Sequence, residues 1–522
     1  MRGSSSSPLR QAREIFLSQI LLRYPAESPN LIRNRHKMDN QHRTIQRLAR
    51  MAAAICSFAL ASNALAGAQT YDIVIKNGRV LDPESGLDGI RNVGIIGNRI
   101  AAISTQGLNG TTSVDATGLV VAPGFIDLHS HGQDTENYRF KAMDGVTTAL
   151  ELEVGVWPVR QWYLAREGKS LINFGASSGH IPARMSVMKD SGTFLPRDTA
   201  MTEAATSTEQ SQILADIDEG MKQGALGLGM GLAYTPRATP EEALDLFYLA
   251  AKWKRPVFVH MRYPGSLTPG VVDSLQEMIA DATITGASVH IVHINSMAAS
   301  KTPEALKMIK GARAHGVDIT TEAYPYTAGY TNLESGVFNP GWEKNLGITY
   351  SDLMWVATGE RLTEESFNRY RKQGGPVIIF SNTEEMVRTA MADPIVMIAS
   401  DGILINGAGH PRSAATYARL LGVYVRQQKV LTLIEAVRRS SLAPAQRLEA
   451  FTPQMKNKGR LKVGADADID VFDPEQVIDK ATYRQPAQYS YGFRYVLVGG
   501  KFVVRDGKLN EADLPGQAIR AQ

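Results

Sequence analysis

From residue 120 onward, short apolar runs rich in β-branched residues alternate with segments whose apolar positions recur every three to four residues. The runs at 120–128, 146–153, 172–177, 225–230, 256–259, 288–292, 317–321 and 395–399 predict eight strands. Segments such as "PEEALDLFYLAAKWK" and "TPEALKMIKGARAHG" predict the helices between them. Regular strand–helix alternation implies parallel strands, since each helix must return the chain to the same edge. Eight such units fit a closed (β/α)8 barrel of the TIM type. A doubly wound open sheet is the alternative, but no Gly-rich phosphate loop follows the first strand. The expected class is therefore α/β, with the barrel over 120–445.

The flanking segments have a different period. "YDIVIKNGRVLD", "NVGIIGNRIAAIS" and "TSVDATGL" precede the barrel, and "GRLKVGADADIDVFD" and "RYVLVGGKFVVRDG" follow it. Alternating residues joined by Asn-Gly, Gly-Asn or Gly-Gly are hairpin chemistry. Residues 67–119 and 446–522 are accordingly expected to pair into one small β-sandwich. More than seventy residues separate the seventh and eighth predicted strands, far above ordinary βα spacing. The stretch 330–393, rich in Tyr, Trp, Gly and Glu, is expected to be an insertion that acts as a lid.

At 43% hydrophobic and 21% charged residues, the chain has the composition of a globular protein. Its net charge of +4 is misleading, because residues 1–66 hold ten Lys/Arg and three Asp/Glu. The remainder has 46 basic against 49 acidic residues, so nothing calls for nucleic acid or an anionic membrane as partner. The front segment has a secretory layout: Arg43, Arg47 and Arg50, then "MAAAICSFAL", then "SNALA" ending at Ala66. Its apolar core is too short for a membrane anchor. A signal peptide over 1–66, with Met38 as a candidate start, predicts a periplasmic or secreted protein. Cys56, the only cysteine, falls inside this segment, as do His36 and His42. The mature chain would then carry neither disulfide nor thiol nucleophile.

Active sites of such barrels sit at the C-terminal strand ends. There the sequence places His129 and His131, Glu151 and Glu153, His180, His260 and Arg262, His293, then Glu322, Tyr324 and Tyr326, and finally Asp401. Five of the ten histidines occupy these ends, a concentration that packing alone does not explain. Imidazoles gathered with carboxylates point to a borderline divalent metal, zinc first, with manganese or iron also suited. His290 points away from His293 along its strand and reads as packed structure; His315 beside Gly316 reads as a helix cap. His180 and His410 each follow a glycine at the mouth and are candidates for touching substrate.

In order along the chain, "VVAPGFIDLHSH", "HMR", "VHI", "YPYTAGYT", "SDG", "GHPRSAATYARLLG" and "KGRLKVGADADIDVFDP" resemble the motifs of the amidohydrolase superfamily, and within it the N-acyl-D-amino-acid deacylases. The resemblance runs from Tyr71 to Gly507. It implies that His129 and His131 bind one metal with Asp401, that His260 and His293 bind a second, and that Asp401 is also the acid/base. One or two zinc ions and a small-molecule amide substrate are implied with it. Members that bridge two metals with a carboxylated lysine place it on the fourth strand, where "GALGLGMGLAY" has none.

The deacylases instead place a cysteine at the end of strand two, within "GNCG"; here the stretch reads "LELEVG". Glu153 lies one place from that cysteine and is the first candidate for bridging or ligating metal, with Glu151 second. A carboxylate merely paired with Arg184 or Arg262 is the bland alternative. Two positions that grip the substrate carboxylate in the deacylases hold Asn295 and Tyr330 here. Arg262, two residues past His260, is expected to supply the missing cation as a bidentate fork. Tyr324, His410 and Arg412, which fall in the resembling motifs, complete the expected substrate-binding set. The expected activity is hydrolysis of a linear amide, such as an N-acyl amino acid. The alternatives are a cyclic-amide hydrolase of the dihydroorotase or hydantoinase kind and, in a different class, an inactive metal-stabilised binding protein.

Overall fold

The computed structural model describes residues 70–522. The predicted signal peptide, Met38, Cys56, His36 and His42 lie outside the described residues.

Eight parallel strands stand side by side in chain order: Phe125–Asp127, Val146–Val156, Asn173–Gly179, Leu228–Gly231, Val257–His260, Val289–Ile291, Ile319–Ala323 and Val396–Ile398. Most of the strands are short, and they are buried on both faces, which is why they read as continuous apolar runs rather than alternating ones. The ring closes just beyond the strand ends. Ser130 bridges Gly402, the Asp401 N–H donates to the His129 carbonyl at 2.7 Å, and the His131 N–H donates to the Gly402 carbonyl at 3.1 Å. Closure thus happens at the residues that carry the candidate chemistry. Helices between the strands begin on conventional caps. Thr239 accepts from the Glu242 N–H ahead of Pro240–Trp253, and Thr206 and Glu209 form a reciprocal capping box ahead of Ser207–Lys222.

The apolar run at 120–128 is two strands, not one. Val120–Pro123 joins the flanking β domain, where it pairs with Thr70–Asp82 and Ile469–Phe472. Phe125–Asp127 joins the barrel. Gly124 is the switch between them, and it has to be glycine, because a Cβ there would lie 2.3 Å from the Thr147 side chain. The flanking strands form one nine-stranded hydrogen-bonded sheet rather than two separate sheets. It draws Thr70–Asp82, Leu87–Ile96, Arg99–Ser104 and Asn109–Asp115 from before the barrel. Ile469–Phe472, Phe493–Val498, Lys501–Arg505 and Lys508–Leu509 come from after it. Ile75, Val93, Ile100, Val121, Val471 and Leu497 share its core.

Two boundaries differ from expectation. Glu384–Ala392, expected within the insertion, is a barrel helix whose Val387, Ala390 and Met391 belong to the main barrel core. The insertion proper carries a three-stranded sheet of Gly329–Asn332, Leu353–Trp355 and Pro376–Ile379. It has a small core of its own around Phe338, Trp342 and Phe367. The last residues leave the β domain: the Ile519 N–H donates to the Phe174 carbonyl at 2.8 Å, and Ile519 and Ala521 pack under Ile126, Leu150 and Phe258. They close the barrel floor. No helix of the described residues is long and apolar enough to cross a membrane.

Candidate metal centre

His129 and His131 leave the first barrel strand side by side, and both are held from behind. The Nδ1 of His129 lies 2.6 Å from Glu322 Oε1, and the Nδ1 of His131 lies 2.8 Å from Glu151 Oε2. An ionised carboxylate only accepts, so each Nδ1 must carry the proton and each Nε2 a lone pair. Those two Nε2 atoms sit 3.1 Å apart. Glu153 Oε2 lies 3.1 Å from both, and Asp401 Oδ1 lies 3.4 Å from His129 and 3.3 Å from His131. Four acceptors therefore converge on one point with no donor among them. Such an arrangement is repulsive until a cation enters it, and its N2O2 donor set suits zinc or a harder divalent ion.

The other oxygen of Glu153 serves a second group: Oε1 lies 2.8 Å from His260 Nδ1 and 3.3 Å from His293 Nε2. The ligand atoms of His129, His131, Glu153 and Asp401 lie within 4.8 Å of one another, as do those of Glu153, His260 and His293. Glu153 is thus common to both groups. Glu151 supports His131 instead, and neither carboxylate is paired with Arg184 or Arg262.

Electrostatics agree with this reading. Burial opposes a charged His129, yet Asp401, Glu153 and Glu322 outweigh it and push the imidazole up to about 10. The carboxylates thus demand positive charge, from a proton if not from a metal. Burial would raise the Asp401 carboxyl, but Arg412 and His129 hold it well below the usual carboxylate range. Asp401 and His293 both adopt positive φ, 52° and 30°. That is a strained conformation for residues with side chains, and such strain gathers at functional sites. Below them, buried Asp127 accepts from Lys141 Nζ at 2.7 Å and from the Ser400 hydroxyl at 2.6 Å, locking the last strand against the first.

Arg412 is the cation beside the centre. Its Nη2 lies 2.9 Å from Asp401 Oδ2, and its guanidinium sits 4.4 Å over the Tyr324 ring. His410 holds the loop that carries it: Nδ1 accepts the Arg412 N–H at 3.0 Å and Nε2 donates to the Ala328 carbonyl at 3.0 Å. Both ring nitrogens are used, so His410 positions Arg412 and has no nitrogen left for substrate. Tyr324 and Tyr330 line a cavity of about 60 Å³ beside His260 and His293. A larger one, of about 360 Å³, opens beside His131, Glu153 and Asp401, with Val154, Phe194 and Ile403 on its wall. Tyr330 and Asp401 are common to both.

Three expected substrate contacts are elsewhere. Arg262 grips Glu277 through Nη2 at 2.7 Å and donates from Nη1 to the Ala238 carbonyl at 2.7 Å. Its strand ends at His260, so the alternation that put both side chains on one side no longer applies. His180 opens a helix rather than ending a strand, and its Nε2 is taken by Glu242 at 2.8 Å. Asn295 is buried, with Nδ2 3.3 Å from the Tyr324 carbonyl, and lines neither cavity.

Glu322, behind His129, had no signal of this role in the sequence beyond its place at a strand end, although a hydrogen-bond acceptor behind a metal-binding imidazole is the general rule. His290, expected to be packed structure, is indeed buried, and it holds the second oxygen of Glu322 at 3.1 Å. Tyr234, with its ring 4.6 Å from that of His260, carried no signal in the sequence.

Residues 112–504 match the pattern described as "Amidohydrolase family". Two curated relatives come from Alcaligenes xylosoxydans xylosoxydans. An N-acyl-D-glutamate deacylase is 30% identical over 83% of this chain and 93% of its own length. A D-aminoacylase is 29% identical over 83% and 94%. The crystal structure of N-acyl-D-glutamate deacylase from Bordetella bronchiseptica, complexed with zinc and a phosphonate inhibitor, superposes with a TM-score of 0.74 at 27% identity. It covers 87% of this chain and all of that one. A dihydroorotase from Syntrophus aciditrophicus (strain SB) is more distant, 24% identical over 82% of this chain and 96% of its own length. With a cluster of candidate metal ligands at the mouth of an eight-stranded barrel and a family match over most of its length, the chain belongs to the amidohydrolase family.

Proposed function

We propose that the protein hydrolyses the linear amide of an N-acylated amino acid, using zinc held by His129, His131, Glu153 and Asp401, with a second ion at His260 and His293. The observation that carries this reading is the convergence of four acceptors at a point that opens onto a cavity, with Asp401 facing both. When bound, a divalent cation supplies Lewis acidity: it lowers the pKa of a water to about 7 and polarises a carbonyl.

The chain's own residues do the rest. Asp401 receives the proton of the attacking water and delivers it to the departing amine nitrogen. Arg412 holds Oδ2, keeping the carboxylate ionised and its rotation fixed, and places a cation beside the centre. Glu322 and Glu151 fix the tautomers of His129 and His131. The cavity beside His131 takes the apolar part of the substrate, and the insertion, through Tyr330, closes over it. With Asn295 and Tyr330 at two positions that hold Lys and Ser in the deacylases, the amino-acid portion need not be that of their usual substrates. The absence of a fourth-strand lysine weighs against cyclic amides. We further propose that the segment ending at Ala66 directs export.

Amine release from paired N-acetyl-D- and N-acetyl-L-amino acids, with and without added zinc, tests the reading. Zinc-dependent release from at least one series is expected; none from either would overturn it.

A further inference from the structure

A further cavity lies at the other end of the barrel. At the end away from the metal centre, helices Leu433–Ser440 and Leu442–Leu448 cross beneath the beginnings of the last four strands, and a cavity of about 420 Å³ lies between. Lys254, Arg313, Arg438, Arg439 and Arg447 line it, with Asp318 as the one acid. Arg438 is matched by Glu435 at 2.6 Å and Arg447 by Asp318 at 2.6 Å. Arg439 is buried with its nitrogens on the carbonyls of Ala390, Met391 and Val396, and it forms no ion pair among the described residues. Lys254 and Arg313 are exposed and have no ion-pair partner among the described residues. The cavity is therefore lined by more positive than negative charge.

Arg447 adds a second observation. Its side chain is only 5% exposed, and while Nη1 holds Asp318, its Nε and Nη2 have no hydrogen-bond partner. Buried donors are seldom left so. Nε and Nη2 are the parallel pair with which a guanidinium takes two oxygens of one oxyanion. Pro256, Met397 and Phe451 supply an apolar wall to the same cavity.

We infer that this cavity binds a small oxyanion carrying an apolar body, of the kind represented by a phosphate monoester. Excess positive charge around a concave site raises the local concentration of such anions, and Arg447, a lining residue whose Nε and Nη2 lack partners, has donors to give them. Nothing in the reaction at the other end of the barrel uses these groups, so the site is an addition to the catalytic one.

Calorimetric titration of the zinc-loaded protein with phenyl phosphate is the test, with inorganic phosphate and benzoate as the other arms. Phenyl phosphate is expected to bind at least tenfold more tightly than either. The double variant Lys254→Glu, Arg313→Glu changes only exposed residues far from the metal centre, and it should weaken phenyl phosphate binding at least tenfold. Unchanged affinity in that variant would place the ligand elsewhere and overturn the inference, as would no binding at millimolar concentration. Equal affinity for inorganic phosphate would overturn the assignment of the apolar wall.

Discussion

Glu153→Gln should cost the protein one of the two metal ions proposed for it. In the native site Oε2 faces His129 and His131 while Oε1 faces His260 and His293. The amide keeps one oxygen, but its other terminus becomes an NH2 group that only donates and repels a cation. The first group retains His129, His131 and Asp401, the three protein ligands usual in a catalytic zinc site. The second, deprived of its oxygen, retains two imidazoles and falls short. Altering a residue one step behind the ligands typically weakens metal binding about 10–100-fold. Removing a ligand should exceed the upper figure, or more than about 2.8 kcal/mol. The assay is metal content after dialysis against zinc buffers of graded free concentration, with circular dichroism to confirm the fold. Two ions still bound at native affinity would refute the role of Glu153 as the shared ligand.

Asp401→Asn retains one oxygen donor but cannot take up a proton near neutral pH. Its kcat should fall about 10²–10⁴-fold while metal content falls far less; near-native kcat would assign the proton transfer to another group. Arg412→Met should raise KM and lower kcat together, since it removes both the cation and the partner of Asp401, whereas an unchanged KM would exclude Arg412 from substrate binding. For Asp470, burial first, opposed by the Phe125 N–H and reinforced by Asp144 and Asp468, pushes the carboxyl well above its usual range. The folded protein then binds this proton more tightly than the unfolded chain, so stability falls as pH rises above about 4. Asp470→Asn should remove that loss and raise Tm at pH 7 to 8 but not at pH 4; equal Tm at pH 8 would refute it. N-terminal sequencing of exported protein should begin near Gly67, and a start upstream of Met51 would contradict the signal assignment.

The barrel was legible because strand–helix alternation leaves a periodic trace, and all eight runs contain or overlap a strand. The residues that converge at the barrel mouth were legible because polar side chains at the ends of apolar strands have few other reasons to be there. What failed did so where a strand rule was carried past the strand. Arg262 follows the last residue of its strand and does not keep the direction that alternation assigns, and His180 begins a helix and turns to Glu242. The run at 120–128 concealed its break because both halves are equally apolar and only Gly124 marks the change of sheet. The end of the insertion was hidden because Glu384–Ala392 reads the same whether a helix covers a lid or a barrel. Glu322 was visible as a strand-end carboxylate, but its pairing with His129 spans 193 residues and leaves no local pattern.

The division of the β domain between the two ends of the chain sets an order of assembly. Val121 pairs with Val471, so 350 residues are made after the first before its partner exists. At about 5–20 residues per second, that interval is roughly 20–70 s of synthesis. Throughout it, Val120–Pro123 presents an unpaired apolar edge, the kind of surface on which chains aggregate. The barrel can form meanwhile, because each of its strands finds a neighbour within the next βα unit or, for the insertion, a little beyond. The sheet is completed last, through contacts of long sequence separation that are slow to close. Chains stopped before Ile469–Phe472 should therefore build a barrel and still be insoluble, a fault of timing rather than of stability.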